Sequence, residues 1–280
     1  MEKIGHLLIR LLPSWLIRFL GQLQFKYPVA KKFIDWAQER FLPDEGFIRE
    51  GVGKGLKFRV KGCNPGYLLG TSDPNEQRAL SACLREGDVF YDIGANAGFY
   101  VVLAARIVGN SGRVCAFEPT PELADRIRYN ARINEFDNVS VEEVAVSGTC
   151  GTVAFGASGF CVNNSFRKVG EFDTIKVETT TLDEWVPSHH PPDVIMMDIE
   201  GAELEALQGG LKTIRRYRPI LLIEVHWLGE DFRSFVEEEL LPLGYRAKTY
   251  DGSPLPPVGE LTRYHAMFVP SEKADITGRT

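Results

Sequence analysis

From Asp88 onward the chain alternates short apolar runs with amphipathic stretches, the pattern of parallel strands joined by helices. Val89–Ile93, Arg113–Phe117, Val139–Val144, Val194–Met197 and Ile220–Val225 read as strands. The last two are almost wholly apolar, as central strands buried on both faces are. Phe99–Val108 is apolar on nearly every side and reads as a buried helix. Thr120 and Pro121 open a second helix, in which Leu123, Ile127 and Ala131 share one face. Leu204, Leu207, Leu211 and Ile214 recur at helical spacing and predict a single helix across them. Phe232–Leu241 reads as a last helix, and Tyr245–Tyr250 with His265–Val269 as a closing antiparallel pair. The expected architecture is a doubly wound, mostly parallel seven-stranded α/β sheet of the Rossmann-like kind.

Before this core, Phe47–Val52 and Leu56–Val60 flank Gly53-Lys54-Gly55 and predict a β-hairpin. A helix over Asn75–Arg85 stops at Gly87. Within the core, Gly151–Phe155 and Ile175–Thr180 read as paired strands. The loop between them carries Asn163-Asn164-Ser165, side chains suited to a polyhydroxylated ligand. The domain reading is an N-terminal helical segment (1–42), the hairpin and its loop (43–74), the main domain (75–270) and a flexible tail (271–280).

Ile4–Phe25 is rich in Leu, Ile, Trp and Phe, but His6, Arg10, Pro13 and Arg18 interrupt it. A spanning helix needs about 20 apolar residues with few charges, so this stretch is a poor one. It also lacks the small-residue cleavage site of a secretory signal. Two short helices broken near Pro13, then a third through Ala30–Arg40, fit better. Such helices either cover the main domain or a second copy of the chain, giving a homo-oligomer, or rest on an anionic membrane surface.

The charge supports the second role without deciding it. The 280-residue chain carries a net −6, but residues 1–40 hold seven Lys/Arg against three acids. That is +4 at the start and −10 over the rest. An acidic main domain without a basic stripe argues against a nucleic acid partner. Five cysteines without a C-x-x-C pair predict free thiols and a reducing, cytoplasmic setting, extending to the inner face of a membrane if 1–42 docks there.

In open α/β sheets, ligands bind beyond the carboxyl ends of the strands. Asp92–Gly98, Glu118 with Pro119, Ala145–Val146, Asp198–Glu200 and Glu224–His226 all sit at such ends. In the first cluster Gly94, Ala95, Asn96 and Gly98 form a G-x-N-x-G turn after Asp92. A dinucleotide turn of the G-x-G-x-x-G kind leaves room for pyrophosphate. A carboxylate at Asp92 suits an ammonium group instead. S-adenosylmethionine offers an ammonium and a sulfonium and has no phosphate. Glu118 is placed to accept ribose hydroxyls, a role that NAD would satisfy equally.

Five motifs then carry a specific resemblance: GDVFYDIGANAGFY (87–100), VCAFEPTPELADRIRYNARIN (114–134), TTTLDEW (179–185), MMDIEGAELEALQGG (196–210) and RPILLIEVHW (218–227). In these the chain resembles the FkbM-type methyltransferases, a branch of the class I S-adenosylmethionine-dependent enzymes. The resemblance spans roughly residues 75–230, and its D-x-E-G-x-E block is the most family-specific part. It implies methyl transfer to a hydroxyl oxygen of a sugar, glycolipid or secondary-metabolite acceptor. The family usually has Lys where this chain has Met196, so a charge expected beside Asp198 is missing.

An alcohol is a weak acid, so its proton needs a base or a metal. Two mechanisms stay open in the sequence. His226 is the general base in one; in the other, Asp198, Glu200 and Glu224 hold a divalent cation such as Mg2+. Two rival functions also remain: a cofactor-binding scaffold without catalysis, and an NAD(P)-dependent oxidoreductase. Blander readings exist for single residues. Glu200 could open a helix, Glu76 could cap one, and His226 could be a packed core histidine.

Overall fold

The computed structural model describes residues 43–64, 66–157, 173–257 and 263–276. The expected helices of 1–42 and the Asn163–Ser165 loop lie outside these residues. Two compact units divide the chain, Met1–Ser72 and Asp73–Thr280, two residues earlier than the boundary expected from the loop.

In the first unit, β1 (Glu45–Phe47) and β2 (Lys57–Arg59) pair antiparallel, giving the expected hairpin. β1 begins before Phe47 and stops there. Beyond it, Ile48 continues the ladder, its N–H donating to Leu56 O and its carbonyl accepting from Gly55 N. A short helix, α1 (Gly66–Leu69), follows.

The second unit runs α2 (Pro74–Cys83), β3 (Val89–Ile93), α3 (Phe99–Val108), β4 (Arg113–Phe117), α4 (Pro121–Ile133) and β5 (Val139–Glu142). The third core strand ends earlier than its apolar pattern suggests. Ala145–Val146 leaves it as β6 and joins β7 (Gly151–Ala157) and β8 (Asp173–Thr180) in a side sheet of order β6-β8-β7. The expected β7–β8 pair is present and antiparallel. Then come α5 (Leu182–Trp185), β9 (Val194–Met197), α6 (Glu203–Gln208), α7 (Leu211–Tyr217), β10 (Ile220–His226), α8 (Gly229–Phe235), β11 (Tyr245–Thr249) and β12 (Arg263–Pro270).

The central sheet has the order β11-β12-β10-β9-β3-β4-β5. The five strands from β10 to β5 are parallel, and β12 runs antiparallel to both its neighbours. The chain winds outward from β3 to β5, then returns to place β9 and β10 on the other side. The switch point therefore lies between β3 and β9, where ligands of such sheets bind.

Side chains alternate across the sheet. Tyr91, Ile93, Ile195, Met197, Leu221 and Ile223 share one apolar core with Leu207, Ile214 and Phe232 from the covering helices. The opposite face carries Asp92, Met196, Leu222 and Glu224. Met196 lies in register with Asp92 and Leu222 and is buried, so the side chain two residues before Asp198 also sits beside Asp92.

Several local expectations are corrected. The single helix over 204–214 is two, α6 and α7, broken at Gly209-Gly210. A Cβ on Gly209 would fall 2.4 Å from Ser147 O, so the break lets the chain press against the exit of β6. Asp183, from the TTTLDEW motif, then caps α7 by accepting from the Lys212 and Thr213 N–H groups. Thr120 stands at the N-cap of α4, but its side chain caps nothing there. The last helix runs from α8 into a π-helical turn at Val236–Leu240. The expected flexible tail contains a 3-10 helix at Ser271–Ile276, where Glu272 pairs with Arg218 at 2.9 Å. Cys63 is disulfide-bonded, against the expectation of free thiols throughout, whereas Cys83, Cys115 and Cys150 are free.

Candidate functional site

The exits of β3, β9 and β10 are the strained part of the molecule. Asn96, Glu200 and Trp227 follow these strands with φ of 52°, 54° and 51°. They are three of the six non-glycine residues with positive φ among the described residues. Side chains adopt this region at a cost, and such residues concentrate at functional sites. Gly94, with φ of 86°, shows what crowds the turn: a Cβ there would sit 2.1 Å from Asp198 O and 2.9 Å from Ile199 Cγ2. The sequence reading gave this glycine to ligand approach. Its first duty is to let two strand exits pack against each other. Gly98 likewise begins α3 and faces Ile127 rather than open space.

At the exits of β3, β4 and β9 lies a cleft with about 590 Å³ of empty space, part of it open to solvent. Gly94, Asn96, Glu118, Pro119, Asp198 and Glu200 supply its polar rim, and Phe117, Val144, Ala145, Val146, Phe155 and Ile199 its apolar wall. Of the expected cofactor residues, Asp92, Ala95 and Gly98 lie behind the lining instead of in it. Glu118 is buried, and both its oxygens already accept backbone bonds: Oε2 from Asn96 N at 2.9 Å and Oε1 from Thr120 N at 2.9 Å. Burial pushes its pKa up to about 7 despite those bonds. Asp92 is also buried, and its Oδ2 has no hydrogen-bond partner among the described residues. Burial, then the neighbouring Glu118, raise its pKa to about 7. An orphaned carboxylate in such a place is costly unless a cation meets it.

Beyond Asp92 lies a cluster of acids and histidines. Glu224 and His226 share one face of β10, and Asp198 leaves the neighbouring strand β9. His226 is wholly buried. Its Nδ1 lies 2.8 Å from Glu203 Oε1, and its Nε2, without a hydrogen-bond partner, is 3.8 Å from both Asp198 Oδ1 and Glu224 Oε1. Glu203 also accepts from Gly201 N at 3.0 Å, which ties the turn to the histidine. Burial raises the Asp198 carboxyl well above its usual range, and Glu224, Glu76 and Glu200 add to the effect. Burial pushes Glu224 the same way, but the Arg263 guanidinium bonded to it, with His265 and His226, outweighs this and holds it low. From α2, Glu76 enters the same field, accepting a bond from the Tyr100 hydroxyl. Burial takes its pKa up to about 8, with Glu224, Asp73 and Asp92 contributing. The hydroxyl of Tyr250, stacked on His265, is buried there and finds no hydrogen-bond partner among the described residues.

The sequence placed Asp198, Glu224 and His226 together, and the fold does so. Glu200 separates from them: it lines the cleft, and α6 begins only at Glu203, so it opens no helix. The expected carboxylate trio Asp198, Glu200 and Glu224 is therefore replaced by Asp198, Glu224 and His226, whose donor atoms lie within 4.8 Å of one another. Glu76 caps nothing, since it is buried within α2 and faces Tyr100. Glu203 was missed, although it is the third acid of the D-x-E-G-x-E block. Arg263 and Tyr250 carried no signal, because the first residue of β12 and the residue after β11 are delivered by strands far along the chain.

The profile of the methyltransferase FkbM domain matches residues 92–247. The hexuronic acid methyltransferase AglP of Haloferax volcanii is 30% identical over 151 residues, covering 53% of this chain and 60% of that protein. The 2-O-methyltransferase NoeI of Sinorhizobium fredii is 28% identical over 192 residues, covering 61% of this chain and 78% of that one. Among solved structures, an FkbM methyltransferase of Methylobacillus flagellatus aligns with a TM-score of 0.43 and 18% identity, over 65% of this chain and 43% of its own. No helix among the described residues is long and apolar enough to cross a membrane. With the profile spanning more than half of the chain, including the turn after β3, the acid block after β9 and all of β10, this protein belongs to the FkbM methyltransferase family.

Proposed function

We propose that the protein transfers the methyl group of S-adenosylmethionine to a hydroxyl oxygen of a sugar, glycolipid or related secondary-metabolite acceptor. The observation that carries this reading is the double membership of Asp198, which both lines the cofactor cleft and belongs to the acid–histidine cluster. Methyl transfer is an in-line displacement, so the donor carbon and the group that manages the acceptor proton must adjoin.

In this reading Asp92 receives the ammonium of the cofactor, and the remaining lone pairs of Glu118 receive the ribose hydroxyls. The apolar wall of Phe117, Val144, Val146 and Phe155 takes the adenine. His226 does not meet the acceptor itself, because its ring is sealed from solvent. Asp198 joins the two regions, because its side chain is 44% exposed while its Oδ1, the atom nearest His226, is buried. Trp227 is 50% exposed at the same edge and offers a flat apolar face to a sugar ring. The relatives AglP, a hexuronic acid methyltransferase, and NoeI, a 2-O-methyltransferase, favour sugar oxygen as the acceptor class.

The test has two stages. Calorimetry should show S-adenosylhomocysteine binding and NADH not binding. A panel of glycosides and glycolipids incubated with methyl-labelled cofactor should then yield a labelled ether. Binding of NADH in preference to S-adenosylhomocysteine would overturn the cofactor assignment. Label recovered only on nitrogen or carbon would overturn the acceptor assignment.

A further inference from the structure

The unsatisfied atom at the heart of the cluster is His226 Nε2, in a side chain with no solvent exposure. Glu203 occupies the other ring nitrogen, so with Nδ1 carrying the proton, Nε2 presents a lone pair. Nε2 lies 3.8 Å from an oxygen of each of two carboxylates, too far for hydrogen bonds and too near for indifference. We propose that Asp198, Glu224 and His226 form a binding site for a divalent transition-metal cation, held against the acceptor side of the cofactor cleft. The proposal deepens the methyl-transfer reading and rests on it for the purpose of the metal.

Geometry favours this occupant. Ligands at about 2.0–2.2 Å from a metal stand about 3.0–3.4 Å apart in neighbouring positions, so spacings of 3.8 Å from His226 to each carboxylate, and no more than 4.8 Å within the set, close by side-chain shifts of about half an ångström to one and a half. A carboxylate bonded to the far nitrogen of a ligand histidine fixes its tautomer and orientation, which is what Glu203 does here. A bound cation would take the place of the Arg263 guanidinium now bonded to Glu224 Oε1, and the carboxylates of Asp198 and Glu224 supply the charge that a dication needs. One imidazole among them suits Mn2+ or Zn2+ better than Mg2+, which prefers oxygen donors throughout. Three protein ligands leave positions open, and Asp198 brings them to the exposed side. There the cation would lower the pKa of an acceptor hydroxyl.

The experiment uses the purified full chain after chelation and desalting. S-adenosylhomocysteine is titrated first, then MnCl2, followed by calorimetry and by the loss of the free-Mn2+ electron paramagnetic resonance signal. One saturable equivalent of Mn2+ is expected. Asp198→Asn and Glu224→Gln should each weaken it by at least about tenfold, and Glu200→Gln by much less. If a variant misfolds by circular dichroism, the wild-type titration and the remaining variants decide. Normal S-adenosylhomocysteine binding with no saturable Mn2+ would overturn the metal site and leave methyl transfer standing. Equal Mn2+ affinity in Asp198→Asn would overturn the ligand assignment. Failure to bind S-adenosylhomocysteine would overturn the underlying reading, independently of the Mn2+ result.

Discussion

Nδ1 of His226 lies 2.8 Å from Oε1 of Glu203, and neither side chain is exposed to solvent. A buried carboxylate bonded to an imidazole sets which nitrogen carries the proton and aims the other. Glu203 is therefore a positioning residue for the cluster whether Nε2 meets a cation or the Asp198 carboxylate. Glu203→Gln should lower kcat by about 10–100-fold with little change in the affinity for S-adenosylhomocysteine. The loss should fall on kcat and leave the KM for the acceptor nearly unchanged, because it is the aim of the histidine that is lost and not a binding surface. A variant with lower thermal stability but unchanged kcat would reduce Glu203 to a structural residue.

Asp92 offers a sharper test of the cofactor end. Its carboxyl is raised to about 7 by burial and by Glu118, so near neutral pH a good part of it is protonated. An arriving ammonium favours the ionised form and must expel that proton. Binding of S-adenosylhomocysteine should release protons near pH 6.5, seen as a calorimetric heat that varies with the ionisation enthalpy of the buffer. Asp92→Asn should weaken binding by about tenfold or more and abolish the release. Unchanged affinity would mean that the ammonium lies elsewhere.

Glu118→Ala carries a double consequence. The two backbone N–H groups that it satisfies, at Asn96 and Thr120, would be left without their acceptor. Each lost bond to a charged group costs about 1–3 kcal/mol, less where water enters. The variant should therefore lose both cofactor affinity and melting temperature. A stable protein with weakened affinity would show that Glu118 serves the ribose alone.

The fold was largely legible because its signals are local. Val194–Met197 was delimited to the residue, since a short apolar run between polar exits leaves little choice. Errors fell where tertiary contact overrides pattern. The 204–214 periodicity continues through Gly209-Gly210, so the apolar pattern hides a break that the glycine pair permits, and the close approach of Ser147 requires a small residue at Gly209. In the site, strand ends gave Asp92, Glu118, Asp198, Glu224 and His226, because topology fixes where strands finish. Periodicity could not show that Glu200 and Glu203 part company, since the left-handed turn at Glu200 sends one to the cleft and the other to His226. Arg263, opposite His226 in the β10–β12 register, depends on a pairing 37 residues away in sequence and left no local trace.

Trp227 separates acceptor recognition from chemistry. Its exposed ring sits one residue beyond the buried His226. Trp227→Ala should raise the KM for a sugar acceptor severalfold while kcat and S-adenosylhomocysteine affinity hold. A fall in kcat alone would instead tie this residue to the shape of the β10 turn, where its φ is 51°.

The buried acids also fix how stability responds to pH. Glu76 is raised to about 8, and Asp92 and Glu118 to about 7, in each case first by burial. A carboxyl whose folded pKa is raised binds its proton more tightly in the folded state. Its contribution is complete below its unfolded pKa, near 4, and is lost as pH climbs through 7 and 8. His265 works in the opposite sense, since burial lowers its pKa and folding disfavours its charged form. One such group stands against these three and Asp198, which burial raises in the same sense. Asp251 and Glu272, both lowered to about 2, act only below about pH 4.5 and leave this window untouched. The ligand-free protein should thus melt at a lower temperature at about pH 8 than at about pH 5.5, by about 2–4 °C for each kcal/mol lost. Glu76→Gln should flatten the upper part of that slope. S-adenosylhomocysteine should flatten it again by neutralising Asp92. A melting temperature that rises steadily over the same range would show that these carboxyls are ionised at little cost and that the cluster already holds a compensating cation.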